Sequence, residues 1–319
     1  MPPIQRLDLR KLRTYRLAER RNLVECGRFA GCPALDAGIP GFLDSLPDIL
    51  AARDLRTVAR EIAEAHARHA HIAWALGAHV LKVGLSPLVI DLMDRGVVTA
   101  LALHGAGAVH DLEIAAIGQT SEDVASAIQD GSFGMSRDTA DIFAAGVRAG
   151  ARRGLGAGLA DAMEKRRLPH RDLSLLVAAR RRGIPATVHV AIGTDIVHMH
   201  PQVPAARLGS ASMADFHRTA AVVAGLAGGV WLNVGSAVIL PEVFLKAVAI
   251  SRNLGHRLDD FLAVNLDMIQ HYRPRANVTG RPAPRGISIT GHHEILLPLL
   301  RVAILAGLQG ADSGKKGAR

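Results

Sequence analysis

Residues 99–114 read TALALHGAGAVHDLEI. An apolar run ends on His104, Gly105 and Gly107 follow, and Asp111 and Glu113 begin a helical pattern. A buried strand that empties into glycine where a helix starts is a junction at which a ligand can approach the backbone. The same grammar recurs outward along the chain, in IAWALG (72–77), IPATVHVAIG (184–193), GVWLNVGSAVIL (229–240), FLAVNLDM (261–268) and RGISITG (285–291). Between these runs the apolar spacing predicts helices. SPLVIDLMDRG is expected to open with Ser86 as its cap and Pro87 in first position, and SEDVASAIQDG with Ser121 and Asp123. Strands apolar on both faces that alternate with helices predict an α/β fold, a doubly wound and mostly parallel sheet. Ligands of such sheets bind at the carboxyl ends of the strands, and here those ends carry Gly, His and Asp throughout.

Composition bounds the partners. The chain has 319 residues, 49% of them hydrophobic, with no uninterrupted apolar run long enough to span a bilayer. The start, MPPIQRLDLRKLRTYRLAERR, is basic without an apolar h-region and does not read as a secretory signal. Two cysteines, Cys26 and Cys32, lack metal-site spacing and fit a reducing, cytoplasmic setting. The net charge of +9 raises nucleic acid as a partner, but aromatics are only 3% and the arginines are scattered. Neither membrane nor nucleic acid is expected. Residues 1–50 read as a basic, partly irregular arm, 51–308 as one ligand-binding domain, and 309–319 as a disordered tail.

Six segments, GAHVLKVGLSP, HGAGAVHDLEI, IPATVHVAIGTD, GGVWLNVGSAV, FLAVNLD and GHHEILLPLL, resemble in order and spacing the deoxyhypusine synthase family, over roughly residues 55–308. The resemblance implies an NAD-binding, homotetrameric, Rossmann-like fold. It places the cofactor against Ala78, His79, Lys82, His104, Gly105, Ala106, Asp195, Ser236, Leu266, Asp267, His292 and His293. It also exposes departures. The family passes an aminobutyl unit through a lysine in a Trp-Gly-Lys segment. The matching stretch here, RPRANVTGRPAPRGISI, has no lysine, and none occurs between Lys246 and Lys315. Two family glutamates fall on Val109 and His110, an aspartate on His200 and a histidine near Pro241, while Arg273 and Arg275 stand in place of an acidic loop.

The resemblance implies NAD-dependent redox or group-transfer chemistry, and these substitutions predict that it acts on a small anionic or zwitterionic molecule, without deoxyhypusine as product. His110 is the expected general base. Asp195, Lys82 and His200 complete the expected catalytic set, and His110, His200, Arg273 and Arg275 the substrate contacts. Asp111 and Glu113 are accounted for by the dipole of the helix they open. An inactive paralogue serving as a binding or regulatory subunit is the second reading. A third is a metal-dependent hydrolase, because His198 and His200 project to one face if they lie on a strand beside Asp195.

Overall fold

The computed structural model describes residues 3–316, with side chains described through residue 309. Helices α1 (Gly38–Ser45) and α2 (Leu50–Ala67) lead into β1 (Ile72–Leu76), then α3 (Ala78–Lys82), α4 (Ser86–Asp94) and β2 (Ala100–His104). A helical stretch follows: α5 (Gly105–Ile117), α6 (Val124–Asp130), α7 (Arg137–Gly150), α8 (Leu155–Lys165) and α9 (Leu175–Arg181). The rest runs β3 (Ala186–His189), α10 (Ala205–Ala224), β4 (Val230–Val234), α11 (Ile239–Asn253), β5 (Leu262–Asp267), α12 (Tyr272–Asn277), β6 (Arg285–Thr290) and α13 (His293–Lys316).

The six strands form one sheet in the order β3-β2-β1-β4-β5-β6, and every pairing is parallel. Period-two alternation sorts each strand's side chains between two buried faces. Ile72, Trp74, Leu76, Leu101, Leu103, Leu232 and Val264 meet one large core. The intervening Ala73, Ala75, Ala100, Ala102 and Ala263 face a second core, whose bulk comes from Trp231, Phe244 and Phe261. Trp231 and Phe244 stack at 4.4 Å, and Phe261 meets Phe244 edge-on at 6.1 Å. The strand order reverses between β1 and β4, which makes their carboxyl ends the crevice where ligands of this architecture bind.

Several local expectations shift. Ser86 is the first residue of α4, preceded by Leu85, rather than its cap. Asp123 precedes α6 without capping it, because its carboxylate takes the Ser126 hydroxyl instead. The GVWLNVGSAVIL strand stops at Val234, since Gly235 takes φ 68° and turns the chain into α11. Within the expected arm, α1 sends Leu43 into the core. The tail expected to be disordered from 309 continues α13 as far as Lys316, a helix already nucleated needing only one further bond per residue. Residues 317–319 lie outside the described residues. Among the described residues, no helix is long and apolar enough to cross a membrane.

Candidate functional site

His104 ends β2 and ties two strand ends together. Its Nε2 accepts the Ala78 N–H at 3.2 Å, and its Nδ1 lies 3.4 Å from the Gly107 nitrogen. Burial holds its pKa down at about 4, so the ring is neutral and can accept. The unfolded chain protonates this ring near 6.5, so its contribution to stability is complete above that pH and is lost as pH falls toward 4. The unfolding free energy of wild type minus that of His104→Gln should therefore fall by roughly 2–3 kcal/mol between pH 7 and 4.5. Urea unfolding at the two pH values measures it, and an unchanged difference would rule out a buried neutral His104.

At the switch point the ends of β1 and β4 press together. A Cβ on Gly77 would lie 1.9 Å from the Gly235 carbonyl oxygen, and one on Gly235 would lie 2.8 Å from the His293 ring. His293 is fully buried at the start of α13, with Nε2 donating to the Leu266 carbonyl at 3.3 Å. Its ring lies 5.6 Å from that of His79. Ser236 and Asp267 are buried at the same edge, whereas His292 faces outward beside Glu294.

Asp195 lies over the first turn of α5. A Cβ on Gly105 would lie 1.8 Å from Asp195 Oδ2, so this glycine makes room for a carboxylate. Burial pushes the acid up to about 6, with the nearby Ala106 backbone N–H pulling it back. Buried acceptors without a partner gather at this edge: Asp195 Oδ2, His293 Nδ1 and Asn233 Oδ1.

Beside it opens a cleft of about 250 Å³, lined by Lys82, His110, Glu113, Glu122, Thr194 and Asp195 among others. His110 stands in the second turn of α5 rather than in a glycine turn, because the helix begins at Gly105 itself. The Thr120 hydroxyl donates to Glu113 Oε2 at 2.6 Å and lies 2.6 Å from His110 Nδ1. One hydroxyl proton given to the carboxylate leaves the oxygen as acceptor, so Nδ1 carries the imidazole proton and Nε2 the free lone pair. Burial, helped by Lys82 and His104, holds the His110 pKa at about 4 and keeps that lone pair available.

Other expected residues are not brought in. His198 and His200 lie at the end of a 3-10 turn, Ile196–Met199, where i and i+2 do not share a face. His200 Nε2 donates to the Gly134 carbonyl at 2.8 Å, and His198 Nδ1 accepts two backbone N–H groups. His198 Nε2 and Asp195 Oδ2 are 3.8 Å apart. Among the described residues, no cluster of three or more His, Cys, Asp or Glu side chains could hold a metal ion. Arg273 and Arg275 are carried away from the cleft on α12, both exposed, with Arg273 paired to Glu242 at 3.4 Å. Sequence reasoning missed Thr120, Glu122 and Thr194, and took Glu113 for a dipole partner. A lone threonine in a polar loop gives no periodic or motif signal.

No protein-family model matches the chain, and no curated protein matches it. Solved structures do. A LOR/SDH candidate from Methanococcus maripaludis S2 superposes with a TM-score of 0.53 at 15% identity, over 81% of this chain and 71% of that one. A deoxyhypusine synthase candidate from Entamoeba histolytica gives 0.51 at 9% identity, over 86% of this chain and 96% of that one. AgrE, in its ternary complex with ornithine and NAD+, gives 0.51 at 16% identity, over 82% of this chain and 34% of that one. The likeness is one of fold. It is shared with proteins of the deoxyhypusine synthase and LOR/SDH types, and this chain spans about a third of the AgrE chain.

Proposed function

We propose that the chain binds NAD across the switch point and acts, by redox or group transfer, on a small zwitterionic molecule held in the adjoining cleft. The observation that carries this reading is the set of buried, unpartnered acceptors at the strand ends: Asp195 Oδ2, His293 Nδ1 and Asn233 Oδ1. Ribose hydroxyls and a carboxamide are donors, and they satisfy what the protein leaves unsatisfied. Ala78, His79, His104 and Ser236 complete the holding set. When bound, the nicotinamide supplies a hydride acceptor.

The chain's own residues manage protons and orientation. His110 Nε2 accepts a proton from a substrate N–H or O–H. Lys82, exposed at the rim, faces a substrate carboxylate, and Glu113 and Glu122 face an ammonium. With Arg273 and Arg275 outside the cleft, a purely anionic substrate loses its support. Among the described residues, Lys82 is the only lysine lining the cleft, and no lysine occupies the stretch that matches the family's nucleophile, so deoxyhypusine is not the product. The setting is cytoplasmic, consistent with Cys26 and Cys32 both free. The molecule works as a homotetramer, in which the arm covers a neighbouring copy. Ile4, Leu7, Leu23 and Leu35 of that arm are each at least 80% exposed on a single chain, apolar side chains that a neighbouring copy would cover.

Calorimetric titration of NAD and NADP into the purified chain, with its mass measured by light scattering, tests the reading. NAD should bind to a tetramer, and Asp195→Ala should weaken it by about 1.5–3 kcal/mol, the range for a hydrogen bond to a charged group. If neither dinucleotide binds, the cofactor reading fails.

A further inference from the structure

The segment between α5 and α7 is built as a flap. Gly118 and Ser121 take φ 72° and 68° at one end, Gly131 and Gly134 take 77° and 75° at the other, and α6 between them buries no residue. Its two ends are latched together where Glu122 Oε2 accepts the Gly134 N–H at 2.8 Å. His200 holds the Gly134 carbonyl from outside at 2.8 Å. The flap contributes Ser121, Glu122, Val124 and Phe133 to the cleft wall. It also carries Thr120.

His110 and Glu113 stand three residues apart on α5, with Nδ1 and Oε2 at 3.8 Å, too far for a direct hydrogen bond. The Thr120 hydroxyl fills that gap with 2.6 Å to each. We propose that Thr120 is the positioning residue that fixes His110 with its proton on Nδ1 and its lone pair on Nε2, and that it does so only while the flap is seated. Opening the flap withdraws the hydroxyl, leaves Nδ1 with no acceptor at hydrogen-bonding distance, Glu113 Oε2 standing at 3.8 Å, and lets the proton distribute between both ring nitrogens. Closure over a ligand then both covers the cleft and sets the base. The charged and titratable groups around this ring are Lys82, His104, Glu113, Glu122 and Asp195, and none of them lies within hydrogen-bonding distance of Nδ1 in the structure. The inference rests on the cleft reading for its purpose, but its test needs neither NAD nor substrate.

The experiment is long-range 1H–15N NMR on the full chain with labelled histidine, the His110 signals being assigned by their loss in His110→Gln. Wild type should show a single tautomer protonated on Nδ1. Thr120→Val should lose it and show averaged ring nitrogens, while Thr120→Ser should keep it. Glu122→Ala leaves all three relay side chains in place while cutting the latch and removing one negative charge near Glu113, and it should shift the ring toward the averaged state. An unchanged tautomer in Thr120→Val would overturn the positioning role, as would Thr120→Ser behaving like the valine variant. An unchanged tautomer in Glu122→Ala would overturn the dependence on the flap. Because the readout is the ring itself in the ligand-free protein, these results stand apart from whether NAD binds.

Discussion

Asp111→Ala is expected to destabilise the protein by about 3–5 kcal/mol, as for removing one partner of a buried charged network. Asp111 is fully buried in the middle of α5, with its carboxylate aimed at the start of α9. Oδ1 accepts the Leu175 N–H at 2.6 Å, and Oδ2 accepts the Ser174 hydroxyl at 2.5 Å and the Leu176 N–H at 3.2 Å. Ser174 in turn caps α9 by accepting the Val177 N–H. Burial pushes the acid up to about 6 while these donors pull it back, so at neutral pH it remains ionised. Alanine leaves two backbone N–H groups and a hydroxyl buried without an acceptor, each costing about 1–3 kcal/mol. Relief from desolvating the carboxylate offsets part of that. Asp111→Asn keeps one acceptor and should lose roughly half as much. Urea unfolding at pH 7 measures both, and a loss below about 1 kcal/mol for alanine would show that the carboxylate does not hold α9.

Gly77→Ala should cost about 3 kcal/mol, at the upper end for overpacking, and should abolish dinucleotide binding. The added Cβ would lie 1.9 Å from a backbone oxygen, that of Gly235, and 3.0 Å from the Ser236 nitrogen. No rotamer change relieves a clash with main chain. The β4 end must move away from β1, which pulls apart the crevice itself and shifts Ser236 with it. Gly209, inside α10 with open space around its Cβ position, is the control. Gly209→Ala should be neutral or stabilise by about 0.5–1 kcal/mol, the ordinary helix gain over glycine. Calorimetry of NAD binding together with unfolding checks both variants. Wild-type stability in Gly77→Ala would mean that the two strand ends are not pressed together as described.

The strands and their carboxyl ends were legible in the sequence because they are local. Five-residue runs that are mostly apolar on both faces and stop at His104 or Val234 define a buried parallel strand wherever they are placed. The gathering of Ala78, His104, Asp195, Ser236 and His293 at one edge then followed from topology, since every parallel strand delivers its end to the same side. Side-chain partners were not legible. Asp111 and Glu113 are two residues apart on one helix, yet one is buried as the cap of α9 and the other is joined to Thr120 in a cleft. The helical phase separates their directions, but only packing decides what each direction meets.

Arg273 and Arg275 show the opposite failure. Their charge suggested a substrate contact, and α12 carries both of them to solvent. His198 and His200 lost their shared face when the chain after β3 tightened into a 3-10 turn. The residues alone thus specified a parallel α/β sheet and the edge at which it offers a site, because strand pattern and glycine placement are set by neighbours along the chain. Which of the polar residues at that edge joined a hydrogen-bonded relay, a latch or a cap was decided by contacts across tens of residues. Burial makes each of those contacts strong and each mismatch costly, and no local pattern records them.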